Sequence, residues 1–438
     1  MIKHLKRIDS KLYLALFITG LLPVLYVTVR FNFLGNLPGD WGYNIASQLQ
    51  YINLMFEVLQ EMLILPLFFI IGKTINDQLA TKNKIKTGLI GLFIIFVAFS
   101  GIIGIFANWI VEAMAQNTSL IDQTVSYIRF ELIGLIFSNL VKFLMVLFIL
   151  KNFKKQIYLV LILQMILTIL LDSLFISELS FSLNVGVNGI AYTNIIVNFA
   201  LLVYMLVITM KSFEFNKQDL KSKMSFIWFK EWLIIGGFSG IESFVRNFAF
   251  MIMIIRMINV VSEQGTFWVA NGFIWSWMLL PVLTLGELIK KETSEGNHQI
   301  AEKTAGYLII TTAIMILWLV TIPLWPIFLE KVMNITKYSK VFNLIVFQLV
   351  FYIIFAYNNI MDSTFYGVGK TSYMLYQSLI VNIIFYGGAF ILYKTGVFVP
   401  TLNGIALMFG LGMVFDFIPT TWLYIKLLRD RKILLDFK

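Results

Sequence analysis

The chain consists of long apolar runs separated by short polar turns along all of its 438 residues. The apolar positions fill these runs instead of following one helical face, which is typical of helices that are surrounded by lipid. A run of about 20 apolar residues is long enough to cross the hydrocarbon layer of a membrane as an α-helix. The pattern predicts twelve spans, at residues 12–33, 45–72, 86–108, 124–150, 156–176, 187–210, 232–259, 266–289, 303–326, 341–366, 373–394 and 403–426.

The two halves of the chain resemble each other in sequence. Four features recur after 215 or 216 residues: Asn188-Gly189-Ile190-Ala191 as Asn403-Gly404-Ile405-Ala406, Pro66 as Pro281, Gly20 as Gly236, and Arg30 as Arg246. Each half holds six predicted spans, an even number, so the two repeats must have the same orientation in the membrane. We therefore expect an all-α integral membrane protein with twelve transmembrane helices in two parallel six-helix pseudo-repeats around a central cavity. The expected domains are an N-lobe (1–210), a cytoplasmic loop (211–230) and a C-lobe (231–438).

The composition supports this fold class and excludes several functions. Hydrophobic residues make up 59% of the chain and charged residues only 13%, about half the charged fraction of soluble domains. The chain has no cysteine, and its only histidines are His4 and His298. Disulfides, thiolate nucleophiles and most metal or general-base chemistry are thereby excluded. We expect no enzymatic activity, no metal site and no cofactor; no phosphate-binding loop for ATP is present in the sequence.

The distribution of lysine and arginine predicts the orientation. If both termini lie on one side of the membrane, that side receives 25 of the 34 Lys and Arg residues. Positive charge accumulates on the cytoplasmic side, so both termini should be cytoplasmic in a multi-pass protein of the cell membrane. The net charge of +10 then reflects topology and contact with anionic lipids, and nucleic acid is not expected as a partner.

Charged residues within the predicted spans are the first candidates for function, because each costs at least ~2.5–3.5 kcal/mol at mid-membrane. Glu242 and Arg246 are four residues apart and share a helix face. Glu242 would be either a proton or Na⁺ site tuned by Arg246, or one half of a plain ion pair.

The second predicted span carries Glu57 and Glu61, also four residues apart. One of them would carry a proton if both face a dry cavity, or both would pair with Arg30, Arg129 or Lys142. Asp416 lies close to Pro419, where a distorted helix would free carbonyl groups for ion coordination.

Pro66 and Pro281 interrupt the second and eighth predicted spans. They would act as paired hinges, or they would produce static kinks, which are common in membrane helices. Asp362 lies toward the cytoplasmic end of the tenth predicted span and is expected at the membrane interface.

Three segments resemble the MATE (multidrug and toxic compound extrusion) transporters, within the superfamily that also includes lipid-linked oligosaccharide flippases. Residues 170–199 resemble the family's end of span five and start of span six, and residues 240–244 (GIESF) resemble its span-seven glutamate segment. Residues 362–371 (DSTFYGVGKT) are similar to its span-ten ending, although Tyr366 and Lys370 replace the family's Arg and Asp. The resemblance follows the span order through nearly the whole chain.

The resemblance implies a cation site at Asp172, which in family members is shared with an aspartate of span one. Arg30 occupies that second position here. Arg30 would pair with Asp172 or extend outward from the end of its span. Arg30 and Arg246 are equivalent in the repeat, and two arginines beside a cavity would suit an anionic group such as phosphate.

The expected function is therefore secondary active transport by a functional monomer. It would export small amphiphilic organic compounds by alternating access, coupled to inward H⁺ or Na⁺. The alternative is a flippase for a lipid-linked phosphate or oligosaccharide, or another anionic amphiphile, that uses Arg30 and Arg246.

Overall fold

The computed structural model describes residues 2–37, 41–75 and 77–436. These residues form helices and turns, with no strand among them. The α-helices are α1 (Ile2–Leu5), α2 (Ser10–Gly35), α3 (Trp41–Ala46), α4 (Leu49–Leu63), α5 (Leu67–Gly72), α6 (Gln78–Ala113), α7 (Ile121–Leu150), α8 (Lys154–Phe175), α9 (Asn188–Ser212), α10 (Lys217–Lys221), α11 (Phe229–Phe250), α12 (Arg256–Val260), α13 (Gln264–Phe273), α14 (Leu280–Ser294), α15 (Asn297–Thr321), α16 (Trp325–Ile327), α17 (Tyr338–Gly367), α18 (Thr371–Ile380), α19 (Gly387–Lys394) and α20 (Leu402–Asp430). Short 3₁₀ turns lie at Thr118–Leu120 and Ile322–Leu324, and π-helical turns at Met251–Ile255, Ile274–Met278, Phe328–Val332 and Val381–Tyr386.

The predicted all-α membrane fold is confirmed. Within the described ranges, ten helices are long and apolar enough to cross a membrane, or eleven if the bent pair Gln264–Met278 and Leu280–Ser294 forms one span. All twelve predicted spans fall on helical segments. The seventh is α11, a π-helical turn and α12; it carries Glu242, Arg246 and Arg256 and is not among the eleven.

Both repeat-related prolines mark a break in a span. Pro66 lies between the end of α4 at Leu63 and the start of α5 at Leu67. Pro281 is in the first turn of α14, directly after the π-helical turn, and the two arms of this span are bent by 52°. Proline lacks an N–H group and its ring clashes with the preceding turn, so each break has a local chemical cause. The predicted interruptions are therefore present at both prolines.

The described residues group into two compact units. The first unit comprises residues 33–251, and the second comprises residues 1–32 with 252–438. Helix α2 thus lies mostly in the unit of the second half, and α11 lies in the unit of the first half. These units differ from the predicted lobes 1–210 and 231–438 by an exchange of the first helix of each half. The lobes as moving bodies remain a prediction.

Two repeat-equivalent glycines allow the exchanged helices to pack closely. A Cβ atom on Gly236 of α11 would lie 2.8 Å from the carbonyl carbon of Met62 on α4. A Cβ atom on Gly20 of α2 would lie 2.9 Å from a side-chain methyl of Leu280 on α14. Small residues let helix backbones approach in this way in membranes. The same sequence feature therefore serves the same packing role once in each unit.

Candidate functional site

The first unit contains a group of charges that we call the arginine cluster: Arg246, Glu242, Glu57 and Glu61. Glu242 and Arg246 lie one turn apart on α11, with 3.2 Å between Oε1 and Nη1. Across the helix pair, α4 presents two further carboxylates to the same guanidinium, because residues four apart share a helix face. Nη2 of Arg246 lies 3.1 Å from Oε1 of Glu57 and 2.8 Å from Oε1 of Glu61.

The arginine cluster is negative overall and remains accessible. Three carboxylates share one guanidinium, and the exposed fractions of these side chains are 37% for Arg246, 40% for Glu57, 26% for Glu61 and 18% for Glu242. Charges on such helices face water or other protein groups, since lipid cannot solvate them. Lys142 of α7 lies near this cluster, and its Nζ donates to Oε1 of Gln60 at 2.7 Å. This surface can therefore attract a cation.

The sequence predictions for these residues are partly confirmed. The ion pair between Glu242 and Arg246 is confirmed. One of the two alternatives for Glu57 and Glu61 was pairing with Arg30, Arg129 or Lys142. Both carboxylates instead form ion pairs with Arg246, and Lys142 interacts with Glu57 only electrostatically. The physical reason is the close packing of α4 on α11. It places Arg246 beside Glu57 and Glu61, although it is almost 190 positions away in the sequence. Arg129 instead donates from Nε to the carbonyl oxygen of Gly104 at 3.1 Å.

The second unit contains the aspartate cluster, formed by Asp362, Asp416, Asn358, Gln377 and Thr420. Nδ2 of Asn358 lies 2.8 Å from Oδ2 of Asp416 and 3.5 Å from Oδ2 of Asp362. Nε2 of Gln377 donates to Oδ1 of Asp362 at 2.8 Å, and Thr420 donates to Oε1 of Gln377 at 3.0 Å. Three helices, α17, α18 and α20, thus converge on two carboxylates.

The carboxylates of the aspartate cluster lie deep among the helices while keeping part of their surface accessible. Neither has a Lys, Arg or His within ion-pair distance in the part of the chain that the structure describes, which separates this cluster from the arginine cluster. Asp416 was a predicted cation-coupling candidate, and its connection to Asp362 was missed. The interfacial position expected for Asp362 stays a prediction, and Asn358 links this residue to Asp416 in the middle of α20.

Asp172 and Arg30 complete the predicted set. Asp172 is 1% exposed in α8 and belongs to the first unit, whereas Arg30 lies in α2 within the second unit. Their pairing, and the cation site that the family resemblance implies at Asp172, stay predictions.

An apolar groove of about 600 Å³ lies within the second unit. It runs between α2 and the segment 272–287, and its lining includes Pro23, Trp275, Leu283 and Glu287. An apolar wall with few polar groups is typical of small-molecule sites. Among the described residues, no group of three His, Cys, Asp or Glu side chains is arranged to hold a metal ion.

These features define a multi-pass helical membrane protein with charged clusters inside its helix bundles. No protein-family model and no curated protein matches the chain. Solved structures do match it across nearly its whole length. An inward-facing multidrug resistance MATE family transporter of the MOP superfamily has 17% identity and a TM-score of 0.74, over 96% of this chain and 99% of that one.

Two further solved structures match the chain with similarly low identity and similarly high coverage. An outward-facing MATE transporter of the MOP superfamily has 16% identity and a TM-score of 0.63, over 97% of this chain and 96% of that one. A MOP superfamily transporter from Pyrococcus furiosus, described as having a binding pocket of reverse polarity, has 16% identity and a TM-score of 0.64, over 97% of each chain. The chain therefore has the fold of the MATE transporters, and the resemblance seen in the sequence is supported by its architecture.

Proposed function

We propose that the chain is a secondary active exporter of amphiphilic organic cations, coupled to inward movement of H⁺ or Na⁺. The observation that carries this proposal is the arginine cluster. Its three carboxylates exceed its single guanidinium, and their side chains remain partly exposed on the helices of the second and seventh predicted spans. A partly exposed negative surface at that location attracts positively charged amphiphiles.

The apolar groove supports the amphiphilic part of the proposal. Its walls are almost wholly apolar, with Pro23, Trp275 and Leu283 among them, and they lie in the same unit as Glu287. Aromatic and aliphatic walls bind the hydrocarbon part of a substrate. Two of the three matched transporters are described as multidrug resistance proteins, which agrees with this class of substrate, whereas the reverse-polarity pocket of the third is described as suggesting a different function.

The arginine cluster also bears on the alternative, a flippase for an anionic lipid. That function needs Arg246 to be available to a phosphate or carboxylate of the substrate. Arg246 instead directs Nη1 at Glu242 and Nη2 at Glu57 and Glu61. An anion approaching this guanidinium would meet three like charges, so the arrangement favours a cation.

Coupling is proposed to run through carboxylates in the spans, from the set Asp172, Glu57, Glu61, Glu242 and Asp416. Binding of H⁺ or Na⁺ would change the charge of a cluster and thereby favour the state that releases substrate. Alternating access, insertion in the cell membrane with cytoplasmic termini, and a monomeric working unit belong to the same proposal.

The test is efflux of ethidium from proteoliposomes under an imposed H⁺ or Na⁺ gradient. Glu242→Gln should abolish most gradient-dependent efflux, because it removes a carboxylate from the arginine cluster. Glu178→Gln is the matched control, since that glutamate is exposed in the segment between α8 and α9. Absence of ethidium movement under both gradients, with movement of a lipid-linked phosphate that Arg246→Gln abolishes, would replace the exporter with the flippase.

A further inference from the structure

The aspartate cluster has features that the exporter proposal does not by itself explain. We propose that Asp362 and Asp416 bind one proton as a pair, with Asn358 as the amide that serves both the charged and the protonated state. This inference rests on the proposed function in that the proton would be the coupling ion.

The geometry brings the two carboxylates to the same amide nitrogen. Nδ2 of Asn358 is within 2.8 Å of Asp416 and 3.5 Å of Asp362, so both carboxylates lie around a single nitrogen atom. The other donor, Gln377, is held by Thr420 so that its Nε2 faces Asp362. Two neutral amides can support one negative charge in a helix bundle, whereas two adjacent carboxylates repel each other.

Asn358 supplies an independent observation. Its side chain is only 2% exposed, and its Oδ1 has no hydrogen-bond partner among the described residues. A buried carbonyl oxygen without a donor is costly. When one carboxylate takes up a proton it becomes a donor, and half a turn of the amide lets Oδ1 accept that O–H group. The orphaned oxygen is thus the acceptor that the protonated state requires.

The surrounding charged and titratable groups do not remove the need for a proton. On α14, Lys290 influences Asp362 electrostatically but is bound to Glu287 at 2.7 Å. Glu292 on the same helix pairs with Lys303 at 2.7 Å and accepts from Tyr307. A lysine that is already neutralised cannot serve as the counter-ion of the two aspartates.

A further titratable neighbour is Tyr386, in the π-helical turn Val381–Tyr386, which interacts electrostatically with Asp416. Its hydroxyl lies 2.6 Å from where a Cβ atom on Gly412 would be, one turn before Asp416 on α20. Gln377 precedes this π-helical turn in α18, and Tyr386 is its last residue. Such turns occur often at functional sites because they re-aim side chains.

A proton fits the cluster better than Na⁺. A hard cation needs several oxygen ligands around it. Here the groups that face the carboxylates are the N–H donors of Asn358 and Gln377, which repel a metal ion and stabilise a carboxylate. Proton uptake changes the charge of the pair by one and needs no other ligand.

The experiment is infrared difference spectroscopy of the purified full-length protein, titrated through the carboxylic-acid C=O band. The wild type should show a band that is lost in the Asp362→Asn/Asp416→Asn variant. In each single variant its midpoint should fall by roughly one pH unit or more, because the repelling neighbour is gone. Asp430→Asn, an exposed position at the end of α20, is the matched control.

A band that survives the double substitution, or single variants with unchanged midpoints, would overturn the proton pair. A midpoint that falls as Na⁺ is added would also overturn it, in favour of a Na⁺ site. The readout is independent of ethidium transport. If the band titrates as expected but the protein moves no ethidium, the proton pair stands and the exporter proposal is rejected. If the protein moves ethidium but shows no such band, only the proton pair is rejected.

Discussion

The indole Nε1 of Trp232 donates a hydrogen bond to the carbonyl oxygen of Leu63 at 2.6 Å, just before the break at Pro66. The second unit repeats the arrangement, because Nε1 of Trp318 donates to the carbonyl oxygen of Met278 at 3.0 Å, just before the bend at Pro281. Helix breaks leave carbonyl groups without their usual partners, and lipid cannot supply a donor. A buried tryptophan fills that role at both breaks, which favours fixed kinks over freely moving hinges.

Trp232→Phe should lower stability. The substitution keeps an aromatic ring but removes the donor, and it leaves the carbonyl of Leu63 buried without its partner at a cost of about 1–3 kcal/mol. Thermal unfolding in detergent should show a lower Tm. Trp109→Phe is the control, since Trp109 is 67% exposed. Equal Tm values for the two variants would mean that the kink does not depend on this hydrogen bond.

Two adjacent glycines of α11 should respond oppositely to alanine. Gly236→Ala places a methyl group against the main chain of Met62, which cannot move without separating α4 from α11. We expect a loss of about 1–3 kcal/mol from overpacking. Gly237→Ala meets no atom within 4 Å and should be neutral, or stabilising by up to ~1 kcal/mol through helix propensity. Thermal unfolding of both variants checks this, and a destabilised Gly237→Ala would contradict the packing argument.

Arg246→Gln should destabilise the first unit, because it leaves Glu57, Glu61 and Glu242 as three unneutralised carboxylates. Breaking a fully buried pair costs about 3–5 kcal/mol, and the partial exposure of this cluster reduces the expected loss to about 1–3 kcal/mol. Adding Glu61→Gln to Arg246→Gln should recover part of the loss in Tm.

Arg129→Gln serves as the control for removal of a positive charge, since Arg129 is exposed and bonds only a carbonyl group. If the double variant were less stable than Arg246→Gln alone, like-charge repulsion would not be the cause.

The loop between the two halves should depend on ionised Asp219. Its carboxylate accepts from Nζ of Lys82 at 2.8 Å and from the backbone N–H of Asn216 at the start of α10. The hydrogen bond from Lys82 holds the pKa of Asp219 below its ordinary value. A lowered pKa means that this contact stabilises the loop above the ordinary carboxyl range, and that the contribution is lost as pH falls through the lowered pKa.

Asp219→Asn at neutral pH reproduces the loss of charge without acid. We expect faster tryptic cleavage after Lys217 and Lys221, whose loop is no longer held against α6. Asp430→Asn should leave the cleavage rate unchanged. If Asp219→Asn were cleaved at an unchanged rate, other contacts would be sufficient to hold the loop. These are the hydrogen bonds from Nζ of Lys86 to the carbonyl oxygens of Asp219 and Ser222.

The helical architecture and the local pairs could be predicted from the sequence, because both depend on nearby positions. Apolar run length predicts spans, and a spacing of four predicts the contact between Glu242 and Arg246. The carboxylates of Glu57 and Glu61 are separated from Arg246 by more than 180 residues, and nothing in their local pattern identifies their partner. Their contact with Arg246 depends on the exchange of α2 and α11 between the units, which places α11 beside α4.

The aspartate cluster was only half predicted for the same reason. Asp416 was recognised as a charge within a span, whereas Asp362 was assigned to the interface by counting from the end of its helix. One local signal was present: Asn358 lies one turn before Asp362 on α17, which places an amide and a carboxylate on the same face. The convergence of α17, α18 and α20 is a tertiary feature without a short-range pattern.

The exchanged first helices also constrain how the protein is made. The unit of residues 33–251 is incomplete until the ribosome has synthesised α11. By then six spans have already left the ribosome. Helix α2 is synthesised first, and its packing surface around Leu280 appears only after more than half of the chain is finished. During synthesis the early spans must therefore wait in the bilayer, or beside the insertion machinery, with a vacant helix position. If the chain were divided between residues 210 and 230, the N-terminal fragment would lack α11 and the C-terminal fragment would lack α2. Neither half of the gene therefore encodes a complete helix bundle.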